Sequence, residues 1–142
     1  MRYAYPYEME PQLEGGWTVT FPDVPEAITQ GDTAEEVAAM AEDALVTALS
    51  FYTDRGQPLP HPSPANGRPL AVVPPLVAAK LALHATMIET GMSNVVLGRQ
   101  LGLEEKAVRR LRDPLHQSHI GAVDKALRLL GKRIEVVIQD AA

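Results

Sequence analysis

Asn94 to Leu111 reads "NVVLGRQLGLEEKAVRRL", and its spacing is that of a helix-turn-helix. Two helices that cross closely need a small residue at the crossing, and Gly98 supplies it. Four residues on, the turn needs a residue that tolerates positive φ, and Gly102 stands there. Six further on comes a β-branched core residue, Val108, and three beyond it another apolar one, Leu111. Leu97, Leu101 and Leu103 complete the expected inner face. Alanine is the usual residue at the crossing, and Gly98 meets the same packing need.

The second helix of such a motif lies in the major groove. Its expected outer face carries Lys106, Arg109, Arg110 and Arg112. Arginine reads guanine with two parallel hydrogen bonds, and both residue types hold phosphate. Ser93 and Asn94, at the N-terminus of the first helix, are placed to hold a backbone phosphate together with the amides there. Arg99 and Gln100 lie on the face expected to meet DNA. Glu104 and Glu105 work against this reading, because they suit the helix dipole but repel phosphate. Glu105 has an alternative use as an acceptor for cytosine. The bland alternative is a helical packing unit with a solvated basic face; the charge of that face favours DNA.

Outward from this stretch the chain stays helical. Pro74-Pro75 marks a boundary, and Pro75 suits the first position of a helix. Leu76, Val77, Leu81, Leu83, Met87 and Ile88 line that helix, and Gly91 ends it. Ser93 is a good N-cap for the next. Further helices are expected at Glu104–Arg112 and His119–Leu130, with Gly131 just past the end. Arg133 to Gln139, "RIEVVIQ", is β-branched and alternating, so a last strand is expected there.

The N-terminal half is of another kind. Arg2 to Glu8 is tyrosine-rich and predicts a strand, Gly15-Gly16 a turn, and Trp17 to Phe21 a second strand, together a hairpin. A short third strand is expected at Ala27–Thr29. Thr33-Ala-Glu-Glu36 is a capping box. Behind it Val37, Ala41, Ala44, Leu45, Ala48, Leu49 and Tyr52 form one apolar stripe, and the helix should end near Arg55-Gly56. Pro58 to Pro69 predicts a loop, and Leu70 to Val73 a strand returning to the sheet. A small antiparallel sheet with one main helix makes an α+β layer, residues 1–73; an all-α unit follows, residues 74–142.

Charge divides the chain at nearly the same place. Residues 1–67 carry two basic against eleven acidic side chains, and residues 68–142 carry eleven basic against seven acidic. An acidic half joined to a basic half points to two different partners. There is no cysteine, which excludes a disulfide scaffold and a thiolate metal site and fits a reducing compartment. The apolar run Leu70–Leu83 is short and broken by Pro74, Pro75 and Lys80, so it predicts no membrane span. No basic-then-apolar leader opens the chain, and the expectation is a cytoplasmic protein.

With both halves read, the chain resembles the HicB antitoxin family in its helix-turn-helix variant. The residues that carry the resemblance are "GGWTVTFPDVPEAITQGDTAEEVAAMAEDAL" (Gly15 to Leu45) and the segment from Ala78 to Val136. The resemblance implies a partial ribonuclease-H-like N-terminal domain that binds and neutralises a small HicA-type toxin, an RNA-cleaving protein. It implies a C-terminal domain that binds operator double-stranded DNA and represses its own operon as a homodimer, with pairing into a tetramer left open. The strand with Ile134, Val136 and Ile138 on one face is then expected to pair with its equivalent in a second chain. The competing reading is a stand-alone helix-turn-helix regulator whose N-terminal domain binds a different protein or ligand.

Four sharper readings fall away. Nuclease chemistry needs clustered carboxylates around divalent metal, and Glu8, Glu10 and Asp23 have no such spacing, so no enzyme and no cofactor is expected. Asp23 is expected to shape the Pro-Asp turn instead. His84, His116 and His119 lack a ligand pattern and predict no metal. Trp17 is expected as a core anchor, and the proline-rich loop as a spacer.

Overall fold

The computed structural model describes residues 1–141. Ala142, the last residue of the expected second unit, lies outside them. Among the described residues the chain is α+β, with five strands in two small antiparallel sheets and five helices.

One sheet pairs β1 (Ala4–Pro6) with β5 (Leu70–Val72), Tyr5 standing opposite Ala71. The other has the order β2 (Glu8–Pro11), β3 (Trp17–Thr20), β4 (Ile28–Gly31). In it Met9 faces Val19, and Val19 faces Thr29. The strand expected over Arg2–Glu8 is shorter, β1 alone, and Glu8, the last residue of the expected span, opens a second strand with a different partner. The switch falls just after Pro6, which has no amide to give a ladder; the Tyr7 amide then donates to the Pro69 carbonyl at 3.0 Å. The hairpin partner of β3 is accordingly β2. The third strand forms slightly later than expected, and the returning strand forms as expected.

Alternation along β3 points Val19 into the core, with Phe21 beyond it and Tyr5 and Tyr7 from the first strand region. Trp17 packs against the edge of this cluster. The core is closed by α1 (Ala34–Asp54), which buries Val37, Ala41, Leu45, Ala48 and Leu49. The Thr33 hydroxyl accepts from the Glu36 amide at 3.1 Å, as the capping box requires. The Glu36 carboxylate reaches back one residue further than the pattern implies, to the Asp32 amide. The loop from Pro58 to Pro69 is tied down. Asp23 accepts from the amide and hydroxyl of Ser63, both at 2.8 Å, and the Tyr5 hydroxyl donates to the Pro60 carbonyl at 2.7 Å. Asp23 thus serves the loop 40 residues away, not only its own turn.

The second core lies among α2 (Pro75–Thr90), α3 (Asn94–Leu101), α4 (Glu105–Arg112) and α5 (Ile120–Leu129). It holds Leu83, Met87, Leu97, Val108, Leu111, Val123 and Leu127. The helix α2 belongs to both cores: Val77 and Leu81 pack with the sheets and α1, while Ala79, Leu83 and Met87 pack with α3–α5. A helix apolar on nearly every side is a buried helix. Leu103, expected inside, is exposed. Residues 133–139 form no strand within the single chain. Ile134 rests partly on the second core, while Val136, Val137 and Ile138 are 70, 75 and 87% exposed. A strand exists only with a ladder partner, and among the described residues no other segment supplies one.

Candidate functional site

The crossing of α3 and α4 is set by two glycines. Gly102 sits at φ 70°, ψ 31° and lets the chain leave α3 in the left-handed conformation. Gly98 lies in α3 against the backbone just beyond that turn. Its carbonyl accepts from the Leu103 amide at 2.8 Å, and a Cβ placed on it would stand 2.5 Å from the Leu103 carbonyl oxygen. No side chain fits there without movement. The Ser93 hydroxyl caps α3 by accepting from the Val96 amide at 3.1 Å. Ser93 is thus used by the helix itself.

With Val108 and Leu111 turned inward, α4 presents Lys106, Arg109 and Arg110 to solvent. Arg109 makes an exposed ion pair with Glu105 at 3.7 Å, one turn earlier, and such a pair is worth little. Among the described residues neither Lys106 nor Arg110 has an ion-pair partner. Arg99 and Gln100 on α3 are exposed as well. Beside this face runs a cleft of about 370 Å³, with Lys106, Arg109 and Arg110 on one wall and Thr53, Asp54 and Gly56, at the end of α1, on the other. The concentration of cations on one exposed helix face suits a polyanion.

Arg112, expected on that outer face, is only half exposed: it lines the same cleft but turns its guanidinium toward the protein. Its guanidinium donates to Asn94 Oδ1 at 2.7 Å and to His84 Nδ1 at 2.8 Å. Asn94 in turn donates from Nδ2 to Glu105 at 3.1 Å. Asn94, Glu105 and Arg112 are therefore brought together, each engaged with another part of the protein. Burial pushes the Arg112 pKa below its usual value. His84, fully buried, places Nε2 2.7 Å from the Gln57 carbonyl. A carbonyl only accepts, so Nε2 carries the proton and Nδ1 is the acceptor. Burial lowers the His84 pKa, the neighbouring Arg112 charge lowers it further, and the bond to Gln57 opposes both.

Lys80, one turn before His84 on α2, is also fully buried. Its ammonium donates to the carbonyls of Arg110 and Asp113, at 2.8 and 3.1 Å, and to the Ser118 hydroxyl at 2.7 Å. All three protons are placed, two of them on the C-terminal carbonyls of α4, where a cation is favoured. Burial lowers the Lys80 pKa and Asp113 opposes this. Among the described residues no buried side-chain nitrogen or oxygen lacks a partner, and no three His, Asp or Glu side chains gather as a metal group. No described helix is long and apolar enough to cross a membrane.

A family model described as the HicB-like antitoxin of bacterial toxin–antitoxin systems matches residues 4–82. The chain is 44% identical over 137 residues to "Antitoxin HicB 2" of Photorhabdus laumondii, covering 96% of each chain. It is 37% identical over 135 residues to "Antitoxin HicB" of Escherichia coli K12, covering 94% of this chain and 98% of that one. The corresponding protein of Pseudomonas fluorescens is 38% identical over 141 residues, 98% of this chain and 96% of that one.

The chain belongs to the HicB-like antitoxin family.

The HicB-like match spans both sheets, α1 and the first half of α2. The helices α3 and α4 lie beyond it, inside the span shared with the full-length HicB relatives. Lys80 and His84 are the residues that sequence reading missed as supports of α4. A signal was present: both are polar, four apart, in the stretch Leu76–Ala85 that is otherwise wholly apolar.

Proposed function

We propose that this chain is an antitoxin that represses its own operon. Residues 1–73 hold a small HicA-type mRNA-cleaving toxin, on a partial ribonuclease-H-like fold. Residues 74–142 contain a helix-turn-helix, α3 and α4, that holds operator double-stranded DNA. The protein is not an enzyme in this reading. The observation that carries the DNA part is the outer face of α4, where Lys106, Arg109 and Arg110 stand exposed on a helix anchored by Val108 and Leu111. Family membership and the acidic balance of residues 1–67 support the toxin part, because an acidic surface complements a basic RNA-binding partner. Phosphate contacts fall to Lys106, Arg110 and Arg99, and base readout to Arg109 with Gln100 beside it. The exposed Val136 and Ile138, following Ile134, form the pairing edge of a homodimer that matches a palindromic operator.

The test is co-expression with the small protein encoded next to this gene, followed by capture on the full chain. A stoichiometric complex is expected. In the same preparation Arg109→Ala should weaken binding to the promoter duplex and leave the complex intact. Capture of no neighbour refutes the toxin part, and equal DNA affinity in the variant refutes the assignment of α4.

A further inference from the structure

We infer that Arg112 and His84 are positioning residues that hold α4 at both ends and tie it to the end of α1, and that neither touches DNA. The inference rests on the DNA-binding reading of α4.

Arg112 is a hydrogen-bond source with two arms. One arm runs through Asn94 Oδ1 at 2.7 Å, and from Asn94 Nδ2 to the Glu105 carboxylate at 3.1 Å. It joins the last turn of α4 to the first turn of α3 and then to the first turn of α4. The other arm runs to His84 Nδ1 at 2.8 Å, and from His84 Nε2 to the Gln57 carbonyl at 2.7 Å. It joins α4 to α2 and to Gln57, three residues past the end of α1. Each arm ends on a group that only accepts, a carboxylate in one case and a carbonyl in the other. Donors and acceptors match along the whole run, which fixes the histidine tautomer without any proton in dispute.

Two consequences follow for DNA. Arg112 spends three of its five N–H donors on Asn94 and His84, so within the cleft that it shares with Lys106, Arg109 and Arg110 it is held by the protein and not extended toward phosphate. Glu105, which would repel phosphate at the opening of α4, is held by Asn94 and paired with Arg109. The run also crosses from one hydrophobic core to the other, because Gln57 follows α1 while Arg112 ends α4. A partner that shifts the end of α1 therefore acts on α4 through His84. Partly buried hydrogen bonds in series polarise one another, so removing one member weakens its neighbours.

The test measures affinity of the full chain for a duplex of the promoter before its own gene, at several salt concentrations, for Arg112→Met, Arg110→Ala, His84→Leu and His84→Gln. Each phosphate contact adds about 0.9 to the slope of log affinity against log salt. Arg110→Ala should flatten that slope. Arg112→Met and His84→Leu should lower affinity about tenfold or more at an unchanged slope, from the loss of buried hydrogen-bond partners. The glutamine amide presents an acceptor and a donor much as the two imidazole nitrogens do, so His84→Gln should keep most of the affinity. This variant also separates positioning from a failure to fold. A slope flattened by Arg112→Met to the extent seen for Arg110→Ala overturns the inference, as does full affinity in His84→Leu. Amide exchange at Val108 to Arg112 is read on the same samples and should quicken in His84→Leu but not in His84→Gln. A wild-type chain with no affinity for the duplex refutes the DNA reading; unchanged exchange in His84→Leu refutes the positioning network itself.

Discussion

Gly98 shows how one missing methyl group sets a crossing. The motif tolerates alanine at this position in general, yet here a Cβ would stand 2.5 Å from the Leu103 carbonyl oxygen, with Val108 also close. Gly98→Ala should therefore destabilise the chain by about 1–3 kcal/mol, the usual effect of overpacking, although alanine has the better helix propensity. A thermal melt checks this, and an unchanged or raised midpoint would show that α3 and α4 separate without strain. His84 gives a second prediction. Its pKa in the folded chain lies below the ordinary histidine value of 6.5, so the unfolded chain takes up the proton first as pH falls. The stability tied to neutral His84 is complete above that ordinary value and is lost as pH falls below it. The melting midpoint should drop between pH 7.5 and 5.5, and drop less in His84→Gln; an equal drop in both would place the effect elsewhere. The sequence shows Gly98, Gly102 and Val108 by spacing alone, since backbone geometry demands those residue types. It does not show that Arg112 turns inward, because that depends on His84, 28 positions away.

At the scale of elements, caps and periodicity carried most of the reading. Thr33, Ser93, Pro75 and the stripe from Val37 to Leu49 each act within one helical turn or repeat with it, so the local sequence contains the cause. Strand partnership is non-local, and nothing near Pro6 says that β1 pairs with β5 and β2 with β3. The proline-rich loop was equally hidden, because its order comes from Asp23 and Tyr5. Residues 133–139 have strand composition without a strand partner in their own chain. If a second chain supplies one, Val136→Asp with Ile138→Asp should convert a dimer to a monomer in light scattering. A wild-type monomer at micromolar concentration would instead leave this edge unpaired.

At the scale of the molecule, α2 is the shared member of two cores. The change of composition at Pro74-Pro75 is legible in sequence, but packing continues across it, through Val77 and Leu81 on one side and Leu83 and Met87 on the other. The acidic and basic halves are thus separate in charge and joined in structure. The direct test is a titration of the full chain, at physiological salt, with the promoter duplex and with a scrambled duplex of the same length. The promoter duplex should bind at least about a thousandfold more tightly, the margin usual for operator recognition. Equal affinity for the two, or none for either, would contradict it.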